Sequence, residues 1–269
     1  MALCELLRPD AMAERQATDP VAALGIDELT ASMAFHSLAV AVVDLAVGLA
    51  VTAGRLVPVD PGDLLVRFEG VSVVEVVVPV DQDNVRSAVA VGTFPDRASR
   101  ASRASRASKV DDVVSVAGPA DVADLPGRLA SWLVAALDPL VAALAPVEPA
   151  QRWGAAADLV VVLAAVRQRV HHLPVEGVWS TATAVVEELR SLRPHPAERP
   201  TRLAVPAPGG GPPLALARRA SCCQWYRAAR TLDEASVADA RCADCPSLDA
   251  ATNVTRLAAL AHRGDLAAP

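Results

Sequence analysis

Apolar positions run almost unbroken from residue 31 to 51, then recur at helical spacing between 121 and 192. Only between residues 64 and 92 does the pattern turn into short valine-rich runs bounded by Gly and Pro. Helices are therefore expected over Asp27–Ala53, with Gly54 as C-cap, and over Val175–Leu192, stopped by Pro194, Pro196 and Pro200. Between them, Leu129, Trp132, Leu133, Ala136, Leu140 and Leu144 predict helix over 121–147. Asp138-Pro139 is expected to break it and start a second helix, because proline suits a first turn. Gln151-Arg152-Trp153-Gly154 opens a further apolar helix over 155–170, followed by His171 and His172. A short helix over 2–14 and a last one over 249–262 complete the helical set. Strands are expected at 64–68 and 73–78 as a hairpin, with 87–92 and 113–116 as additions.

The sum is an α+β fold, predominantly helical, with a small antiparallel sheet and a C-terminal cysteine-rich segment. Residues 1–205 form the body with a substrate pocket, and residues 206–269 carry the cysteines. Residues 206–213, with Gly209-Gly210-Gly211, read as the loop that delivers them; the triple glycine lacks the frame of a phosphate loop. Aromatics make up 3% of the chain, so the core has to be built from Ala, Val and Leu.

Residues 33–51 are apolar enough to resemble a membrane span. Asp44 near the centre would cost roughly 2.5–3.5 kcal/mol there, and His36 adds to it. A buried core helix is expected, with no transmembrane span, and with Asp44 and His36 at a helix boundary or on a backbone partner. The Arg97-Ala98-Ser99 triplet repeats four times, through Ser108. A three-residue period gives no consistent face to bury, so 97–109 is expected to be a solvated low-complexity loop. Its positive charge leaves a peripheral membrane contact open. The net charge of −6 gives no electrostatic case for nucleic acid.

Chemistry concentrates at the end. Four of the five cysteines, Cys222, Cys223, Cys242 and Cys245, lie within 24 residues; Cys4 stands apart and reads as an ordinary thiol. The first twenty residues carry Glu5, Arg8, Asp10, Glu14 and Arg15 and have no apolar secretory core. A cytoplasmic protein is expected, and disulfides are not. A metal or cluster site remains. Cys242-x-x-Cys245 suits one ion, whereas adjacent side chains at Cys222-Cys223 diverge and fit more easily on a group with more than one iron. Thiolate softness alone leaves zinc and iron–sulfur both open.

The run Arg218-Arg219-Ala220-Ser221-Cys222-Cys223, then Tyr226-Arg227, then Cys242-x-x-Cys245, resembles the C-terminal signature of FhuF-type ferric siderophore reductases. The run 31–35 leading to Gly54, and Trp153-Gly154 leading into a helix, resemble that family in the same order, with Ala155 where the family has asparagine. The resemblance implies a [2Fe-2S] cluster held by Cys222, Cys223, Cys242 and Cys245, with no catalytic residue beyond these ligands. Arg219, Tyr226, Arg227 and Arg241 would surround it. It implies one-electron reduction of iron(III) in a ferric siderophore, with electrons from a separate donor protein, since no Gly-x-Gly-x-x-Gly frame is present. A non-catalytic electron carrier or redox sensor and a zinc-stapled binding module are the alternatives. The spacer of eighteen residues between Cys223 and Cys242 is longer than the family's, and is expected to be a solvated excursion.

Overall fold

In the computed structural model, the described residues are 27–56, 60–61, 64–69, 72–77, 88–89, 124–143, 147–222 and 241–264. The expected helix at 2–14, Cys4, the strand at 113–116, the triplet repeat, Cys223, Tyr226, Arg227 and most of the cysteine spacer lie outside them.

The first described helix, α1 (Asp27–Ala53), is the axis of the molecule. From Leu38 to Ala50 every residue is buried, which is what a helix apolar on all sides requires. It ends where Gly54 takes φ +63° and donates its N–H to Ala50, a conformation that suits glycine. Residues Ala34–Ala53 are long and apolar enough to cross a membrane, yet most of this stretch is buried inside the fold. Strands β1 (Leu65–Glu69), β2 (Ser72–Val77) and β3 (Ala88–Val89) follow as an antiparallel sheet in that order. Strand β2 packs against α1.

Helices α2 (Leu125–Ala143), α3 (Pro149–Val170) and α4 (Val175–Leu192) complete the bundle. Helix α1 lies chiefly on α3, and α4 touches both α2 and α3. Each buries an apolar stripe, such as Leu129, Leu133, Ala136 and Leu140 in α2. Small residues on α1 and α3, among them Ala39, Ala46, Ala156, Ala157 and Ala164, line the shared core. Trp153, at 1% exposure, is a core residue: its ring lies 6.4 Å from that of His195 and 6.0 Å from the Arg193 guanidinium.

Three expectations are corrected here. The helix break at Asp138-Pro139 is absent: α2 runs through, with Pro139 inside it. Proline deprives the Ala135 carbonyl of its donor, but buried Ala136, Leu137, Leu140 and Val141 hold the helix on both sides of it. Asp138 does not cap a helix; it accepts from Arg193 Nε at 2.8 Å and also from Nη2. Asp44 is neither at a boundary nor on the backbone: in mid-helix it takes Arg167 of α3 through both carboxylate oxygens. Finally, the approach to the cysteines is a second sheet rather than a loop alone. Strands β4 (Thr201–Val205) and β5 (Leu214–Arg218) pair antiparallel, Leu203 opposite Leu216, across a turn containing Pro208–Gly210. This hairpin spans the junction between residues 205 and 206, and β5 lies against α3. Val205 and Leu216 form a small separate core with Leu257 of the terminal helix α5 (Ala250–His262). Taken together, the chain is mostly helical with small antiparallel sheets.

Candidate functional site

Strand β5 ends at Arg218, and the next four residues carry the chain to Cys222 along the first turns of α3. What holds them there is Asp158. One of its oxygens accepts the Ala220 N–H at 2.7 Å; the other accepts the Ser221 N–H at 2.7 Å and the Ser221 hydroxyl. Asp158 is 1% exposed, and burial raises its carboxyl to about 6, against the lowering pull of the Ala220 and Ser221 hydrogen bonds and the Arg219 charge. The close approach needs Gly154. A Cβ there would sit 3.0 Å from the Pro196 ring and 3.3 Å from the Ser221 Cβ. Gln151 reaches the Cys222 carbonyl from the same helix end, at 3.5 Å.

The Cys242-x-x-Cys245 segment is a tight turn closed by the Cys245 N–H on the Cys242 carbonyl, 3.1 Å. Helix α5 braces it from below. Asn253, fully buried, donates to the carbonyls of Ala243 and Cys245, and Arg256 donates to that of Arg241. Arg218 reaches across from β5. Its Nε bonds Asn253 Oδ1, and its Nη2 bonds the carbonyls of Pro246 and Leu248. Asp249 starts α5 by accepting the Thr252 N–H at 2.8 Å, an N-cap that fixes the helix under the turn.

Arg219 ties the two cysteine segments together. Its N–H donates to the Asp244 carbonyl at 3.1 Å, and its Nη2 to Asp244 Oδ1 at 2.9 Å. Asp244 stands between Cys242 and Cys245, and Arg219 stands three residues before Cys222. Cys245 is buried, with its sulfur 3.1 Å from the Ser247 hydroxyl; Cys222 and Cys242 are half-buried. None of the three is in a disulfide. Arg241 flanks the turn, half-buried. Among the described residues, no three His, Cys, Asp or Glu side chains are gathered to hold a metal ion, and Cys223 lies outside them. The donor chemistry itself suits a thiolate-bound metal group, with cationic Arg218, Arg219 and Arg241 on the same turn and strand end.

Beside Cys222 opens a small cleft, partly open to solvent, between the start of α3, α1 and residues 219–222. His36, Gln151, Arg152, Asp158, Arg219 and Cys222 line it. Burial, and then the nearby Arg219 charge, lower His36 to about 4, so its ring is neutral at physiological pH. His36 thus lines this cleft from within α1 rather than at a helix boundary, whereas His171 and His172 close the end of α3.

Sequence reasoning passed over Asp158, Arg152 and Asn253. Asp158 had a signal: an acid inside the apolar run 155–166 has to find donors. Set against family models, curated proteins and solved structures, the chain matches none.

Proposed function

We propose that this protein is a cytoplasmic [2Fe-2S] protein that reduces siderophore-bound iron(III) to iron(II), with Cys222, Cys223, Cys242 and Cys245 as the cluster ligands. The observation that supports it is the double hydrogen bond of Arg219 to Asp244, which sets the strand leading to Cys222-Cys223 against the Cys242-x-x-Cys245 turn. Two segments distant in sequence are thereby held at one place, beside a small cleft open to solvent.

A bound cluster supplies single electrons. The substrate explains why one is enough: hard siderophore oxygens hold iron(III) far better than iron(II), so adding an electron frees the metal. The chain's own residues do the rest. Arg218 and Asn253 fix the Cys245 side of the site, and Asp158 fixes the Cys222 side. Ser247 sits against the Cys245 sulfur, where a hydroxyl donor stabilises thiolate charge. Electrons come from a separate protein.

Iron, sulfide and zinc analysis of anaerobically purified protein is the test, with about two irons and two sulfides per chain expected. Stoichiometric zinc without iron would overturn the reading in favour of a zinc-stapled module. If iron is present, the reduced protein should be re-oxidised by a ferric siderophore under anaerobic conditions. Intact iron without re-oxidation would leave an electron carrier or redox sensor.

A further inference from the structure

The backbone around Cys245 spends its donors on itself. The Cys245 N–H goes to the Cys242 carbonyl at 3.1 Å, Pro246 has no N–H, and the Leu248 N–H goes to the Cys245 carbonyl at 3.2 Å. Cys245 is 3% exposed, so water has little access to it, whereas Cys222 and Cys242 are half-buried. Thiolate charge at such a place is costly without a donor. The group that reaches the Cys245 sulfur is the Ser247 hydroxyl, at 3.1 Å.

The aim of that hydroxyl is set by a frame of protein groups. Arg218 Nη2 donates to the carbonyls on either side of Ser247, Pro246 at 2.8 Å and Leu248 at 2.7 Å. Arg218 Nε donates to Asn253 Oδ1 at 3.0 Å, and Asn253 Nδ2 donates to the Cys245 carbonyl at 3.1 Å. Both ends of the turn 245–248 are thereby held by the chain itself. Ser247 is exposed on its outer side, so exchanging it should leave the fold intact.

We propose that Ser247 tunes the metal group through Cys245, its hydroxyl donating to the sulfur and raising the reduction potential. The redox consequence rests on the cluster reading, but the hydrogen bond needs only a metal on Cys245. In the metal-free chain either the thiol or the hydroxyl can donate. A metal-bound thiolate has no hydrogen, so only the hydroxyl can. An added electron increases the negative charge on the sulfurs. A donor aimed at one of them therefore stabilises the reduced form more than the oxidised one.

The test compares the natural protein with Ser247→Ala and Ser247→Thr, which keeps the hydroxyl. Each is purified anaerobically, its iron is counted, and its potential is measured. Each is also stripped and loaded with cobalt(II), whose thiolate charge-transfer band reports the electron richness of the sulfurs. At equal iron content, Ser247→Ala should have a more negative potential, and Ser247→Thr should stay with the natural protein. On cobalt, the band of Ser247→Ala should move to longer wavelength, and that of Ser247→Thr should not. Equal potentials at equal iron content, or equal cobalt bands, would overturn the role of Ser247 and leave the cluster reading standing. A natural protein without iron would overturn the cluster reading instead, and the cobalt band would then decide on Ser247. A chain that takes up neither metal would overturn both.

Discussion

Arg167 and Asp44, 123 positions apart, form a two-pronged ion pair between the middle of α1 and α3. A Cβ at Gly48 would lie 3.4 Å from Arg167 Nε, ordinary van der Waals contact, so the guanidinium packs directly over that position. The pair locks the rotation of an otherwise uniformly apolar helix. Asp44→Ala should therefore cost about 3–5 kcal/mol in urea unfolding, since it strands a buried charge. The double variant Asp44→Leu/Arg167→Met should recover most of that. Equal loss in single and double variants would argue against the stranded charge.

Gly154→Ala is expected to destabilise. In an open helix the exchange gains up to about 1 kcal/mol. Here the new methyl meets Pro196 and Ser221 at 3.0–3.3 Å, and overpacking of that kind costs about 1–3 kcal/mol. Gly177, on α4 with nothing within 4 Å, is the matched control and should show the gain. Thermal melts of both variants decide it.

The pH dependence of stability carries two opposed contributions. His36, lowered to about 4, favours the folded state above its unfolded value, and this contribution fades as pH falls from 6.5 to 4. Asp158, raised to about 6, acts the other way: its contribution is full below 3.8 and is lost as pH rises to 6. Between pH 4 and 6 they largely cancel. Relative to the natural protein, His36→Gln should become less stable with rising pH across that window, and Asp158→Asn more stable. Each slope approaches about 1.4 kcal/mol per pH unit at most. Denaturation at pH 4, 5 and 6 measures it, and parallel curves for all three proteins would reject both assignments.

Asn253→Ala removes the brace under the cysteine turn. Two carbonyls and Arg218 Nε lose a partner together, so a loss of about 2 kcal/mol or more is expected. Exchange of the Cys245 amide should accelerate, while the Asp44–Arg167 end of the bundle keeps its protection. Hydrogen exchange resolves the two ends separately.

The helices were legible because their signals are local and repeated. Gly54 closed α1 at the expected place, and the Val175–Leu192 limits followed from apolar spacing and the prolines beyond. The β4–β5 hairpin was not legible, because five-residue strands such as Thr201–Val205 carry arginine and alanine and alternate too briefly to stand out. Pro139 misled for a different reason: a local helix-breaking rule yielded to burial on both sides. The cysteine segment drew notice by the clustering and spacing of its cysteines and by the family resemblance of that run. Asp158, Asn253 and Arg152, which position it or face its cleft, are single polar residues whose partners lie far along the chain.

That distance has a consequence for how the molecule is made. Asp158 acquires its three donors only when residues 62 and 63 positions later return to α3. The Cys242–Cys245 turn closes over three peptide bonds. Closing the larger loop carries the greater entropy cost and belongs late in folding. A newly made chain is thus expected to offer its short-range thiol pair first, and pulse-labelled exchange should protect the Cys245 amide before that of Ser221. On the proposed four-thiolate site, metal arriving early would meet two sulfurs rather than four, so the order in which α3 and residues 219–222 dock would bias which metal such a site keeps.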